Sequence, residues 1–246
     1  MTMQNVVNLT FWERKSEYRT DVLPVWSCSR NGYELCRLDR AFSYVPYRTE
    51  EKAGIFLTVL RMEFYRIKKT SDAWFPAFRD CFEASFPESE RRPPESLKDK
   101  IEHEDRFHCE VALQTEPDRQ RFLGLLCWWQ FDGFCYVEYL AVSERLRGQG
   151  RGGKIIRALQ AAVQQPVVLE VEPPADDITR RRVGFYQRQD FRLLPDDYMQ
   201  PSYGIVPGLP LRLMLWKDLP AEWGVQDLIR TLHREVYGVN DRHSSD

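Results

Sequence analysis

Histidine is scarce in this chain and paired cysteine is absent. The four histidines fall at 103, 108, 233 and 243, and the six cysteines at 28, 36, 81, 109, 127 and 135 include no C-x-x-C pair. Neither set has the spacing of a zinc site, so no metal is expected. Cys109, Cys127 and Cys135 lie inside apolar strand-like runs, where a buried free thiol is the ordinary state, and no disulfide framework is expected either. Apolar runs long enough to span a bilayer are missing. The first ten residues lack the charged start and apolar middle of a signal peptide. These absences predict a cytoplasmic protein with no membrane partner. Charge of one sign is lacking too: 35 Lys and Arg against 37 Asp and Glu leave a net −2. That balance gives no reason to expect nucleic acid as a partner.

What is present is a soluble composition, 43% hydrophobic and 13% aromatic over 246 residues. This is ample for one large domain, or one medium domain with appendages. The most informative segment is residues 137–154, V-E-Y-L-A-V-S-E-R-L-R-G-Q-G-R-G-G-K. An apolar strand runs into a turn rich in glycine and arginine, and an amphipathic helix over residues 155–163 follows. Gly148, Gly150, Gly152 and Gly153 leave the backbone free of Cβ atoms, so its N–H groups can converge on an anion. The helix adds its unpaired N-terminal donors and the positive end of its dipole. Arg145, Arg147, Arg151 and Lys154 against Glu144 give a local surplus of positive charge. The pattern is that of a phosphate cradle.

Three phosphate motifs overlap here. Gly148-x-Gly150-x-x-Gly153 matches the dinucleotide fingerprint, with Glu170 some twenty residues on. Gly148-x-x-x-x-Gly153-Lys154 matches a P-loop as far as Ile155, where a Ser or Thr should hold Mg²⁺. Arg147-x-x-Gly150-x-Gly152 matches the acyl-CoA signature Arg/Gln-x-x-Gly-x-Gly/Ala. Context separates them. Five residues, 143–147, stand between the strand and the first glycine, whereas the dinucleotide turn follows its strand almost at once. More than 130 residues also precede a unit that normally opens its domain.

Periodicity gives a coarse order of elements. Residues 62–69 alternate as a strand, and Ser71 can cap a helix carrying Trp74, Phe75, Phe78 and Phe82 on one face. Arg91-Arg92-Pro93-Pro94 marks a loop, and a second helix starts at its prolines. Residues 108–114 and 122–131 read as strands, and Asp132-Gly133 turns the chain into a third over 134–142. After the cradle helix come a buried strand at 167–172, a basic helix at about 177–189 and strands near 191–198 and 211–216. A last amphipathic helix carries Trp223, Leu228, Ile229, Leu232 and Val236. Residues 1–61 show no sustained period.

Residues 62–216 resemble the GCN5-related N-acetyltransferase (GNAT) superfamily. The resemblance rests on the strand and cradle, on the strand at 167–172, and on Gly184-Phe185-Tyr186-Gln187-Arg188-Gln189-Asp190-Phe191. That last segment matches the family's F-Y-x-x-x-G-F, in which the tyrosine lies beside the CoA sulfur. Asp190 stands where glycine is usual, and aspartate tolerates a left-handed backbone better than most residues. The resemblance implies an α/β (α+β) fold: a mixed, largely antiparallel sheet flanked by helices and splayed at the acyl-CoA site. It divides the chain into an N-terminal extension, 1–61, an N-acetyltransferase domain, 62–216, and a C-terminal helix and tail, 217–246. It also implies acetyl-CoA as co-substrate, and a small-molecule or protein amine as acceptor. Leu140, Ala141 and Val142 would follow the acyl arm, and Arg147, Gly148, Gln149, Gly150, Arg151, Gly152, Gly153 and Lys154 the pyrophosphate. A homodimer is left open. So are a non-catalytic acyl-CoA-binding module and a nucleotide-binding domain built on the same loop.

Direct transfer of acetyl from a thioester to an amine needs a neutral amine, a stabilised oxyanion and a proton for the thiolate. Tyr186 suits the last task, since a phenol near pKa 10 lies only modestly above a thiol near 8.5. Glu138, in an otherwise apolar strand, is the candidate base: desolvation there would raise its pKa toward that task. A solvent-facing or arginine-paired glutamate is the alternative. Glu170 and Glu172 are weaker candidates for binding a cationic acceptor. Arg180, Arg181 and Arg182 form either a solvated face or a contact to the CoA 3′-phosphate. Glu88, Glu90 and Glu95 lie in the proline-bounded segment that borders the acceptor side in the family, and favour a cationic amine.

Overall fold

The computed structural model describes residues 43–44, 61–116, 119–203 and 208–239. The expectation that residues 1–61 form an extension, and Cys28 and Cys36, fall outside these, apart from Ser43–Tyr44 and Arg61.

The strands are β1 (Ser43–Tyr44), β2 (Arg61–Ile67), β3 (Phe107–Glu116), β4 (Arg119–Gln130), β5 (Cys135–Val142), β6 (Val167–Val171), β7 (Arg192–Leu193), β8 (Tyr198–Gln200) and β9 (Leu209–Trp216). The helices are α1 (Phe75–Ser85), α2 (Pro94–His103), α3 (Arg151–Val163), α4 (Asp177–Gln187) and α5 (Val225–Thr231). The sheet runs β1-β2-β3-β4-β5-β6-β9-β7, with β8 beside β7 on the far edge of β9. Among the described residues β5 and β6 form the one parallel pair; the rest are antiparallel. This is the mixed, largely antiparallel arrangement expected. It does not accommodate a dinucleotide fold, whose helices cover a parallel sheet.

Strands β3 to β5 are apolar on both sides because helices cover both faces. One face carries α1, α2 and α5: Phe78, Phe82, Leu97, Ile101 and Leu228 pack there with Trp129 and Tyr139 of the sheet. The other carries α3 and α4: Ile155, Leu159, Val183 and Tyr186 pack on Val137, Leu140, Val142 and Leu169. Cys109, Cys127 and Cys135 are buried free thiols, as their apolar strands predict.

Two features of β5 position the site. Its pairing with β6 runs only from Cys135↔Val167 to Val137↔Leu169, although β5 continues to Val142. The two strands diverge beyond that point. On the other edge, Trp128 pairs with Val137 and Cys127 with Tyr139, so Glu138 is the extra residue of a β-bulge. A bulge bends its strand and increases local twist, and this one sits where β5 leaves β6.

Three local expectations change. Ser71 does not cap α1. The helix begins after Trp74 with Pro76 in its first turn and no side-chain cap, while Asp72 closes the preceding turn by accepting from Lys68 N at 2.7 Å. The cradle helix begins at Arg151 rather than at 155, so Gly152 and Gly153 lie buried in its first turn. A Cβ on Gly153 would stand 3.2 Å from Gln189 Oε1, a tight approach to that side chain. The strand expected near 191–198 is two short strands flanking Pro195, which cannot donate to a ladder.

Candidate active site

The turn after β5 delivers its backbone to the open end of the splay. Gly148 and Gly150 both adopt positive φ, 75° and 69°, where a Cβ is costly. Gly150 is the N-cap of α3, and no side chain caps the helix. The first intrahelical bond is Lys154 N to Gly150 O, so the N–H groups of Arg151, Gly152 and Gly153 have no acceptor within the helix. A Cβ at Gly150 would point into open space, with no heavy atom within 4 Å. An uncapped helix N-terminus with open space beside it fits an anion. Arg147 is engaged by the neighbouring strand and helix ends. Its Nε donates to Val142 O at 3.2 Å and its Nη2 to Ser85 Oγ at 3.2 Å, bracing the end of β5 against the end of α1.

Tyr186 is fully buried on the inner face of α4, edge-on to Phe185 and Phe191 with centroids 4.9 and 5.6 Å away. Its hydroxyl has no hydrogen-bond partner. Burial pushes the phenol's pKa up, and the Arg182 guanidinium one turn earlier pulls it part of the way back. A buried hydroxyl without a partner costs free energy. The helix itself is set by a capping box, Asp176 accepting from Thr179 N at 2.8 Å. Three residues past its other end Asp190 takes φ 64°, the left-handed backbone that aspartate tolerates.

Glu138 has the arginine-paired environment. Its Oε1 accepts from Arg92 Nη2 at 3.0 Å, Arg92 Nε at 3.2 Å and Tyr203 Oη at 2.7 Å, and its Oε2 accepts from Trp129 Nε1 at 2.6 Å. Both ions are buried, with side chains 4% and 1% exposed. Arg92 also donates to Val236 O at 3.1 Å, which ties the turn after α5 to the sheet. A carboxylate with these donors is held in place.

Glu170 is likewise buried. Tyr198 donates to its Oε1 at 2.5 Å, Tyr237 donates to its Oε2 at 2.9 Å, and Gln200 donates to Oε2 as well. Burial raises its pKa, and these donors oppose the rise. Tyr237 also meets Tyr136 at 2.9 Å and lies against Tyr203, so a chain of tyrosines links the two carboxylates. Arg92, Tyr203 and Tyr237 were not singled out from sequence. Arg92 reads as part of a charged loop, and nothing in the spacing of Tyr203 or Tyr237 announces the contact. Of the arginine run, Arg182 is buried and paired with Glu172, and Arg180 pairs with Asp177 at 2.8 Å.

Residues 71–191 match the family described as "Acetyltransferase (GNAT) family". A solved structure from Bacteroides thetaiotaomicron, named "Putative acetyltransferase from GNAT family", is 35% identical. It aligns over 72% of this chain and 99% of its own, with a TM-score of 0.65. The chain belongs to the GNAT acetyltransferase family. The Bacillus subtilis (strain 168) protein named "Putative acetyltransferase YjbC" is 38% identical over 110 residues. That match covers 42% of this chain and 54% of the relative, so the chain spans about half the length of the curated relative it matches.

Proposed function

We propose that the protein transfers an acetyl group from acetyl-CoA to a primary amine by direct attack. The observation that carries this reading is the divergence of β5 from β6 beyond Val137 and Leu169, beside the uncapped start of α3. A splay of this kind leaves strand backbone groups without ladder partners, and those of Leu140, Ala141 and Val142 suit the amides of a pantetheine arm. The N–H groups of Arg151, Gly152 and Gly153, with Gly148, Gln149 and Gly150 before them, suit a pyrophosphate. Lys154 adds exposed positive charge, and Arg147 acts by bracing the turn.

In the reaction the amine nitrogen attacks the thioester carbonyl, the C–S bond breaks, and the thiolate takes a proton from Tyr186. Burial raises the phenol's pKa, but it disfavours a thiolate in the same pocket as well, so the gap between the two does not widen for that reason alone. The unpartnered hydroxyl supports this role. Glu138 anchors Arg92 and the loop before α2, and so shapes the acceptor side without collecting a proton.

Calorimetric titration with acetyl-CoA, ATP and NADPH separates the ligand classes. Binding of acetyl-CoA alone is expected; binding of either nucleotide in its place would overturn the proposal.

A further inference from the structure

Acetyl transfer to an alkylamine leaves one proton to be taken. Such an amine resembles a lysine side chain, with a pKa of about 10.4, and is almost wholly ammonium at neutral pH. Glu138 has both oxygens occupied by Arg92, Tyr203 and Trp129. We infer that Glu90, on the 3₁₀ turn Glu88–Glu90 between α1 and α2, receives the ammonium proton of the acceptor; this rests on the acetyl-transfer reading.

The turn is fixed to the splayed half of β5. Tyr139 Oη donates to Glu90 O at 3.2 Å and accepts from Arg92 N at 2.9 Å. Phe82 and Phe86 pack edge-on against the same tyrosine, with centroids 4.8 and 4.9 Å away. The end of α1 and the turn after it are therefore clamped onto β5 just past the bulge. Across the splay, Glu172 follows directly after β6 and pairs with Arg182 of α4. The charges of both act on Glu90. Glu90 Oε2 is buried and has no hydrogen-bond partner. Arg182 acts on Tyr186 as well. A carboxyl and a phenol, each with a buried unpartnered oxygen, thus feel the charge of one guanidinium.

Among the described residues, these charged and titratable groups lie near Glu90. From β5 comes Tyr139, from beyond β6 Glu172, from α4 Arg182, and on its own segment Glu88 and Arg91 flank it. Burial first, and then the like charge of Glu172, push its pKa up to about 8 against the pull of Arg182. A carboxylate so poised is a far stronger base than one at 4.5, and is still largely ionised above pH 8.

The step balances as follows. The ammonium gives one proton to the Glu90 carboxylate, and the neutral amine forms the N–C bond. As the C–S bond breaks, Tyr186 protonates the sulfur. The second nitrogen proton restores the phenol by way of solvent, and Glu90 releases its proton to solvent.

The test is the pH profile of kcat/KM for Glu90→Gln in the full chain, with acetyl-CoA and an alkylamine chosen from a screen of the unsubstituted protein. Glu90→Gln is expected to lose about 10²-fold at pH 7 and only a few-fold at pH 10, with KM for acetyl-CoA unchanged. The limb near pH 8 should vanish, and Glu90→Asp should restore part of the rate. An unchanged profile, or an equal loss at every pH in a folded variant, overturns the role of Glu90 and leaves acetyl transfer standing. Failure of the unsubstituted protein to release thiol with any amine overturns both.

Discussion

Glu138 and Tyr139, consecutive in β5, turn their side chains to the same face of the sheet. Glu138 meets Trp129 and Arg92, and Tyr139 meets Phe82 and Phe86, all on the side of α1 and α2. Regular alternation would send neighbours to opposite faces; the bulge at Glu138 cancels one step of it. The result is a buried ion pair and a buried phenol side by side, which together hold the segment between α1 and α2.

Breaking that ion pair from one side should be costly. Arg92→Met leaves the Glu138 carboxylate buried with its charge unpaired, and should lower unfolding free energy by about 3–5 kcal/mol. The double variant Arg92→Met/Glu138→Leu should recover much of the loss. Urea unfolding of the three proteins checks this; a double variant less stable than the single one would show that the pair does not act as a unit.

The cradle and its strand were legible because glycine spacing and an apolar run are local properties. Tyr186 was legible from the residues around it, and Asp190 fits the left-handed turn that its side chain tolerates. The bulge was not legible. Glu138 in an apolar strand reads equally as a desolvated base or a paired anion, and its partner lies 46 residues away in a loop with no periodic pattern. The tyrosines around Glu170 come from β5, β8 and the segment after α5, so only the folded chain brings them together. Ser71 has the right chemistry for a cap, but the helix starts at Phe75, beyond its reach.

Gly150→Val should remove acetyl-CoA binding. Its side chain would occupy the open space before α3, and the left-handed backbone there adds a folding penalty of roughly 1–2 kcal/mol. Arg147→Ala should weaken binding less, because it loosens a brace and leaves the backbone donors in place. Titration calorimetry on both, with thermal melts as folding controls, is the check. Full affinity in folded Gly150→Val would remove the cradle from the site.

Tyr186→Phe should slow kcat by about 10²-fold while acetyl-CoA affinity holds. Stability should stay level or rise, since the lost hydroxyl is buried without a partner, a state that costs about 1–3 kcal/mol. Slower turnover with an undiminished melting temperature separates a proton donor from a packing residue. Wild-type turnover would leave the tyrosine a purely structural part.

Glu90 also links stability to pH. Its folded pKa of about 8 lies above the ordinary carboxylate value of 4.5, so the folded state holds the extra proton between those values. Its contribution therefore declines as pH rises from 4.5 to 8, and the penalty is complete above that. Glu90→Gln should gain stability relative to the parent at pH 9 and little at pH 4. Chemical unfolding at the two pH values reads the difference; an equal gain at both would mean that the carboxyl titrates normally.

Acetyl transfer itself is tested most directly by amine-dependent thiol release from acetyl-CoA, followed with a thiol reagent across a panel of primary amines. At least one amine should raise the rate of CoA release well above hydrolysis in buffer, with the acetylated amine appearing in equal amount by mass spectrometry. Tight acetyl-CoA binding with no amine-stimulated release across the panel would contradict an acetyltransferase and leave an acyl-CoA-binding protein.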